Sequence, residues 1–269
     1  PIIAKISNAP PLVRPQAGLN DADLVFEHYA EGGLTRFSAI YYGSAPDRVG
    51  SIRSARLIDD ELMPMFDGLL AYSGASIGVE EVLQNSGRYD RTYMGVRYGL
   101  PYYWRDEEIE MPHNMFVNPR ALWDLAAAEG LNQRPDLRGF SFSDAPPAGG
   151  DGSGIYLNLH YKATRVEWHY HRPDGRYYRS SDWLPHYDSN VMRQVSAANI
   201  ILLYARHRFS DIVESQWQDS VSYGLEIELW PEGDAILLRD GQRYEARWLR
   251  PTRESMLWLV TPAGEPLSL

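Results

Sequence analysis

The sequence has 269 residues, 44% hydrophobic and 23% charged, enough apolar material to pack one large domain or two smaller ones. Its 36 acidic against 26 basic side chains give a formal net charge of −10, which repels phosphate backbones and disfavours non-specific nucleic-acid binding while leaving room for a local basic patch. Cysteine is absent, which excludes disulfides and thiolate chemistry within these residues and fits an oxidising compartment. No apolar run reaches the roughly 18 residues of a membrane-spanning helix. No signal peptide is recognisable, and the opening Pro1 in place of Met reads as a processed or trimmed product.

The first half mixes strands and helices. Ile2 to Ile6 reads as a short strand. Asp23 to Ala30 alternates, with Leu24, Phe26 and His28 on one face, and breaks at Gly32-Gly33. Thr35 to Tyr42 reads as its antiparallel partner. Ser54 looks like the N-cap of a helix whose first turns carry Asp59, Asp60 and Glu61, where the helix dipole favours acids. Gly68 to Tyr72 reads as a buried strand, and Ser76 to Leu83 as a helix stopped by Asn85-Ser86-Gly87. The clearest helix is Pro119 to Gly130, with Asn118 as cap, Pro119 at the first position and Gly130 as the stop.

Ser143 to Gly154, SDAPPAGGDGSG, has almost nothing that can pack and reads as a linker. Beyond it the pattern is β. Residues 159–179 alternate about a Pro-Asp-Gly turn, Ala198 to Tyr204 reads as a buried strand, and short strands follow at Leu225 to Leu229, Asp234 to Leu238, Gln242 to Trp248 and Met256 to Val260. The expected fold is α+β: a mixed α/β N-terminal domain over residues 1–145, then a smaller, mainly antiparallel β C-terminal domain over residues 155–269.

Several stretches resemble a known family. RPQAGLNDADLVFEHYAEGGLTRFSAIYYG, VGSIRSAR and MPHNMF are similar to the N-terminal domain of the YerB-like bacterial lipoproteins. VEWHYHRPDGRYYRSSDWLPHYD, SAANIILLYARH, AILLRDGQRYEARWLRPTR and MLWLVTP are similar to that family's C-terminal domain. The resemblance covers nearly the whole chain in order. The family is classed as a domain of unknown function. The resemblance implies an extracytoplasmic protein of the cell envelope, lipid-anchored to the bacterial membrane through a Cys upstream of the folded region, and it brings no catalytic residue with it.

Among local motifs, Ser51-Ile52-Arg53-Ser54-Ala55-Arg56 is the sharpest. Two arginines three residues apart at a strand-to-helix junction can converge on one anion, helped by free N–H groups, the two serines and Arg36. They can equally pair with Asp23, Glu27 or Glu31 and tie strand to helix. Those three acids, if they share a strand face, can also hold a cation or act as acid and base. His113 and Asn114 stand between an acidic loop and a helix, as ligand groups or as a loop brace. His169 and His171 could begin a zinc site only with a third ligand such as His160 or His186. Tyr98 to Trp104 is a dense aromatic loop, suited to stacking on rings or to packing between domains.

These readings lead to an envelope protein that binds an anionic ligand, phosphate-bearing or glycan-linked, through Arg36, Arg53, Arg56, His113 and Asn114, with no metal or cofactor expected and no nucleic-acid partner. The alternative is an enzyme acting on phosphodiester or polyprenyl-linked envelope glycans. The order Asp23, Arg53 and Arg56, Tyr72-Ser73-Gly74 loosely resembles LytR–CpsA–Psr glycopolymer transferases, but their Pro-Arg-Asp triplet is missing. A third reading is a protein–protein interaction module using an exposed edge strand of the C-terminal β-domain.

Overall fold

The structure is a computed structural model that describes the backbone of residues 1–269 and every side chain except that of Trp217. The chain is mostly β. Among the described residues there are three α-helices, all before residue 130: α1 (Asp59–Phe66), α2 (Ile77–Asn85) and α3 (Pro119–Ala128).

In the first half β1 (Ile2–Ser7), β2 (Leu24–Tyr29), β3 (Thr35–Tyr41), β5 (Leu69–Tyr72) and β6 (Thr92–Met94) form a five-stranded sheet in the order β2-β3-β1-β5-β6, while β4 (Val49–Gly50), β7 (Tyr103–Arg105) and β8 (Met115–Val117) make a small second sheet. Strands β2, β3 and β1 are antiparallel neighbours; β1, β5 and β6 run parallel. Every residue of β1 and β3 is buried, because the main sheet is covered on both faces. Ile3, Ile40 and Leu70 pack on α1 and α2, whereas Ala4, Ala39 and Ala71 face β4, β8 and α3. Ser76 caps α2 and Asn118 caps α3, the latter accepting the Ala121 N–H at 3.1 Å.

The second half has β9 (Tyr156–His160), β10 (Arg165–His171) and β11 (Arg176–Ser181) in one antiparallel sheet, with the two-residue strands β12 (Leu184–Pro185) and β15 (Ser196–Ala197) pairing on β11, while β13 (Tyr187–Asp188) and β14 (Arg193–Gln194) pair only with each other. Strands β16 (Asn199–Leu203), β19 (Glu232–Arg239), β20 (Gln242–Leu249) and β21 (Trp258–Val260) form another. Between them, β17 (Arg206–Trp217) and β18 (Ser220–Glu228) make a long two-stranded ribbon. Leu237, Trp248 and Leu259 of this half enter the same apolar cluster as Leu62 and Phe66 of α1, so the halves share a core. The linker is tied down: Tyr244 bonds the Pro147 carbonyl at 3.0 Å, and Gly152 N–H bonds the Gln242 side chain at 2.8 Å.

Three local expectations need correction. The first helix begins at Asp59, not after Ser54, because Arg53 and Ala55 give their N–H groups to Lys5 and Gly74 in extended pairings. Residues 199–203 are only partly buried, being an edge strand with a neighbour on one side. The β17 strand was not anticipated at all; its residues are exposed along most of its length, so no apolar alternation marks it.

Candidate functional site at the parting of two parallel strands

β1 pairs with β5 only through Ile2 to Ala4. At Lys5 it changes partner: Arg53 N–H bonds the Lys5 carbonyl at 2.8 Å, and Ser7 N–H bonds the Ser51 carbonyl at 2.9 Å. Farther on, Ser73 N–H bonds the Arg53 carbonyl at 3.0 Å and Ala55 N–H bonds that of Gly74 at 2.9 Å. The segment from Ser51 to Ala55 is therefore a wedge between the C-terminal ends of two parallel strands. Such partings of strands are where open sheets with parallel strands commonly hold ligands.

Charge is stacked beside this wedge. Deepest is Lys5, fully buried, whose ammonium meets Asp59 at 2.6 Å, Ser38 at 2.6 Å and His28 Nε2 at 3.0 Å, one acceptor for each of its donors. His28 Nδ1 lies 2.9 Å from the Tyr29 carbonyl, so Nδ1 donates and neutral Nε2 accepts from Lys5. Burial first, and the Lys5 charge second, push His28 well below its usual range. Burial also lowers Lys5 to about 8, with Asp59 opposing, so the ammonium persists at neutral pH.

The next layer holds Arg36 and Arg56. They do converge, but on the protein's own Glu31. Arg56 Nε donates to Glu31 Oε2 at 2.5 Å and its Nη2 to Oε1; Arg36 Nη2 reaches Oε1 at 3.2 Å. Arg56 Nη1 also donates to the Ala55 carbonyl at 2.7 Å, and Arg36 Nη1 to that of Ser54. Burial would raise the Glu31 carboxyl, but the Arg56 bonds and the two guanidinium charges outweigh it and hold Glu31 at about 2. Glu214 of the ribbon lies 3.5 Å from Arg56 with its side chain almost fully enclosed, and burial pushes its carboxyl up. The Arg56 N–H is taken by Asp59 at 2.7 Å, so no free helix N-terminus faces this place.

Arg53 differs. It is partly buried, makes no ion pair among the described residues, and has a single side-chain bond, to the Pro112 carbonyl at 3.3 Å. Burial first, and Arg56 second, hold its guanidinium below its ordinary value. Beside it His113 is lowered by burial and then by the Arg53 charge. His113 Nδ1 and the hydroxyl of buried Ser51 have no hydrogen-bond partner among the described residues. Asn114 is used otherwise: its side-chain oxygen accepts from Arg105 at 2.7 Å and its amide donates to the Asp106 carbonyl at 3.1 Å, bracing the loop.

The three acids expected on one strand face part company. Asp23 caps the turn at Tyr42 and Gly43, at 2.7 and 3.1 Å, and makes no ion pair among the described residues. Glu27 takes Arg179 of the second half with both oxygens, at 3.0 and 2.9 Å. Only Glu31 meets Arg36 and Arg56. His171 pairs with Asp174 at 3.0 Å, while His186 is buried between Arg179 and Gln16. No group of three His, Asp or Glu converges on one point among the described residues. Lys5 and Glu214 escaped the sequence reading, and Asp59 was read only as an acid of the first helical turns. Lys5 alone had a signal: a lone ammonium inside the apolar run Ile2 to Ile6 needs a buried anion.

The fold and this layered site define a two-part β-rich chain, and comparison places it. The family described as "Protein of unknown function (DUF3048) N-terminal domain" matches residues 1–132, and its C-terminal domain matches residues 155–269. The chain belongs to this family. It is 32% identical over 253 residues to "Putative lipoprotein YerB" of Bacillus subtilis (strain 168), covering 91% of this chain and 72% of that protein. The crystal structure of YerB from Bacillus subtilis superposes with a TM-score of 0.81 at 26% identity, over 99% of this chain and 86% of that one.

Proposed function

We propose that this protein is an extracytoplasmic, lipid-tethered binding protein that takes an anionic group, phosphate-bearing or glycan-linked, at Arg53. The lipid tether follows the name of the Bacillus relative. The observation that carries the binding role is the uncompensated guanidinium of Arg53 on the wedge, with the unpartnered Ser51 hydroxyl and His113 Nδ1 nearby. Together with Arg36 and Arg56 it makes three arginines against Glu31 and Glu214, a local excess of positive charge within an acidic chain. Arg36 and Arg56 supply that field from behind, and Asn114 holds the loop that carries His113.

Thermal melts with inorganic phosphate and with pyrophosphate test this. An anion at ten times its Kd should stabilise the protein by about 1.4 kcal/mol, and Arg53→Ala should abolish the gain. A wild type that gains nothing, or an Arg53→Ala variant that gains equally, overturns the assignment.

A second reading rests on the ribbon. Phe209 is 78% exposed and Tyr223 45%, and both outer edges of β17 and β18 are unpaired, features suited to adding a partner's strand. A β17 edge blocked by a proline should then lose a partner without losing phosphate binding.

A further inference from the structure

The aromatic loop takes no part in the arginine cluster. Tyr98 instead walls a recess of about 490 Å³ at the free edge of β6, together with Tyr89, Asp90, Arg97, Glu129 and Leu131. The walls are fixed in place. The Tyr89 hydroxyl donates to Glu80 at 2.5 Å and accepts from Arg97 Nη1 at 2.7 Å. The Tyr98 ring is braced by Tyr93 and Tyr102, with centroids at 5.7 and 6.0 Å. The Tyr93 hydroxyl donates to Glu129 Oε2 at 2.7 Å, which orients that carboxylate, and its other oxygen accepts no bond among the described residues. Asp90 is exposed and has no ion pair among the described residues.

The charges select the occupant. A cation would face the Arg97 guanidinium, whose charge is shared with Glu80 at 3.5 Å, and an anion would face both Asp90 and Glu129. The recess suits a neutral molecule that brings hydroxyl donors to the carboxylates, acceptors to the guanidinium and an apolar face to the tyrosines. A pyranose has these properties: axial C–H groups on a ring face, and vicinal hydroxyls that donate and accept together. The volume lies within the range of small-molecule sites. We infer that the recess at Tyr89, Arg97, Tyr98 and Glu129 binds a neutral sugar unit, separately from the anion at Arg53.

The test uses the full chain, with cellotriose and chitotriose as neutral probes and glucuronic acid and glucosamine as charged ones, read by saturation-transfer NMR and calorimetry. A neutral oligosaccharide should bind more tightly than either charged sugar. Arg97→Ala and Glu129→Ala should each weaken it by about tenfold or more, since each removes a charge-assisted hydrogen bond. Arg97 is at the surface, so Arg97→Ala should melt as the wild type does, whereas Glu129→Ala also takes the acceptor from the Tyr93 hydroxyl, and Glu129→Gln, which keeps an acceptor there, is the variant that should melt as the wild type does. Arg53→Ala should bind the sugar unchanged, which separates this site from the proposed anion site. The inference is overturned if neither neutral oligosaccharide binds at about 10 mM, if binding survives the Arg97→Ala/Glu129→Ala pair, or if a charged sugar binds best.

Discussion

Arg56 and Arg53 stand on one short segment, yet they end in opposite surroundings. Arg56 is buried and locked by Glu31, Glu214 and two backbone carbonyls. Arg53 lies nearer solvent against a single carbonyl. The Lys5–Asp59 pair, one layer deeper than Arg56, is wholly enclosed. Depth orders the pairing. An ion removed from water must find a counter-ion, because leaving it alone costs several kcal/mol, whereas one at the rim keeps part of its hydration. The inner charges therefore hold the fold together, and the outermost is left over for something outside the chain.

The largest loss of stability is expected at the bottom of the stack. Asp59→Ala leaves Lys5 without its anion and also frees the Arg56 N–H, so unfolding in urea should show a loss of about 3–5 kcal/mol. Replacing both members, as in Lys5→Met/Asp59→Ala, should cost less than the single change. A single-variant loss under about 1 kcal/mol would mean that water reaches the pair.

The middle layer should show itself in pH. Glu31 is held at about 2 against an ordinary 4.5, and its side chain is 16% exposed. A depressed carboxyl stabilises the fold fully above its unfolded value, and the contribution fades as pH falls from about 4.5 toward 2. At one pH unit per 1.36 kcal/mol this amounts to about 3 kcal/mol. Wild type should exceed Glu31→Gln by that order at pH 7, and the two should converge in acid. Glu214 acts in the opposite sense: its raised carboxyl costs stability as pH rises past its unfolded value, so Glu214→Gln should steepen the acid loss. A wild-type advantage over Glu31→Gln that is independent of pH would contradict the ion-pair account.

The sequence carried the parts of this picture that depend on neighbours along the chain. Apolar runs mark β1, β3 and β5, and the Ser76 and Asn118 caps mark two helices. Ser54 misled because its residue type suits a cap, while tertiary pairing with Lys5 and Gly74 keeps its surroundings extended. β17 was invisible for a related reason: most of its residues are exposed and its apolar Phe209, Ile212 and Val213 do not alternate, whereas Leu225 to Leu229 did mark the end of its partner β18. Of the candidate site, the gathering of Arg36 and Arg56 was legible as a possibility, and so was its alternative of pairing with Glu31. Which acid would arrive was not. Glu27 leaves for Arg179, and Glu214 comes from far along the chain.

The smallest effects belong to the rim. Arg53→Ala should change stability by no more than about 0.5 kcal/mol, since it breaks no ion pair. It should nonetheless move one titration. His113 is lowered by burial and, next, by the Arg53 charge, while Glu110 opposes. Removing the guanidinium deletes the second cause and leaves the first, so His113 should titrate at a higher pH in Arg53→Ala than in wild type while staying below its ordinary range. Imidazole resonances followed through a pH series would show this. Bound phosphate should move His113 in the same direction by placing negative charge beside it, and only when Arg53 is present. A His113 curve indifferent to both the substitution and the anion would separate the histidine from Arg53 and reduce the rim to an ordinary surface.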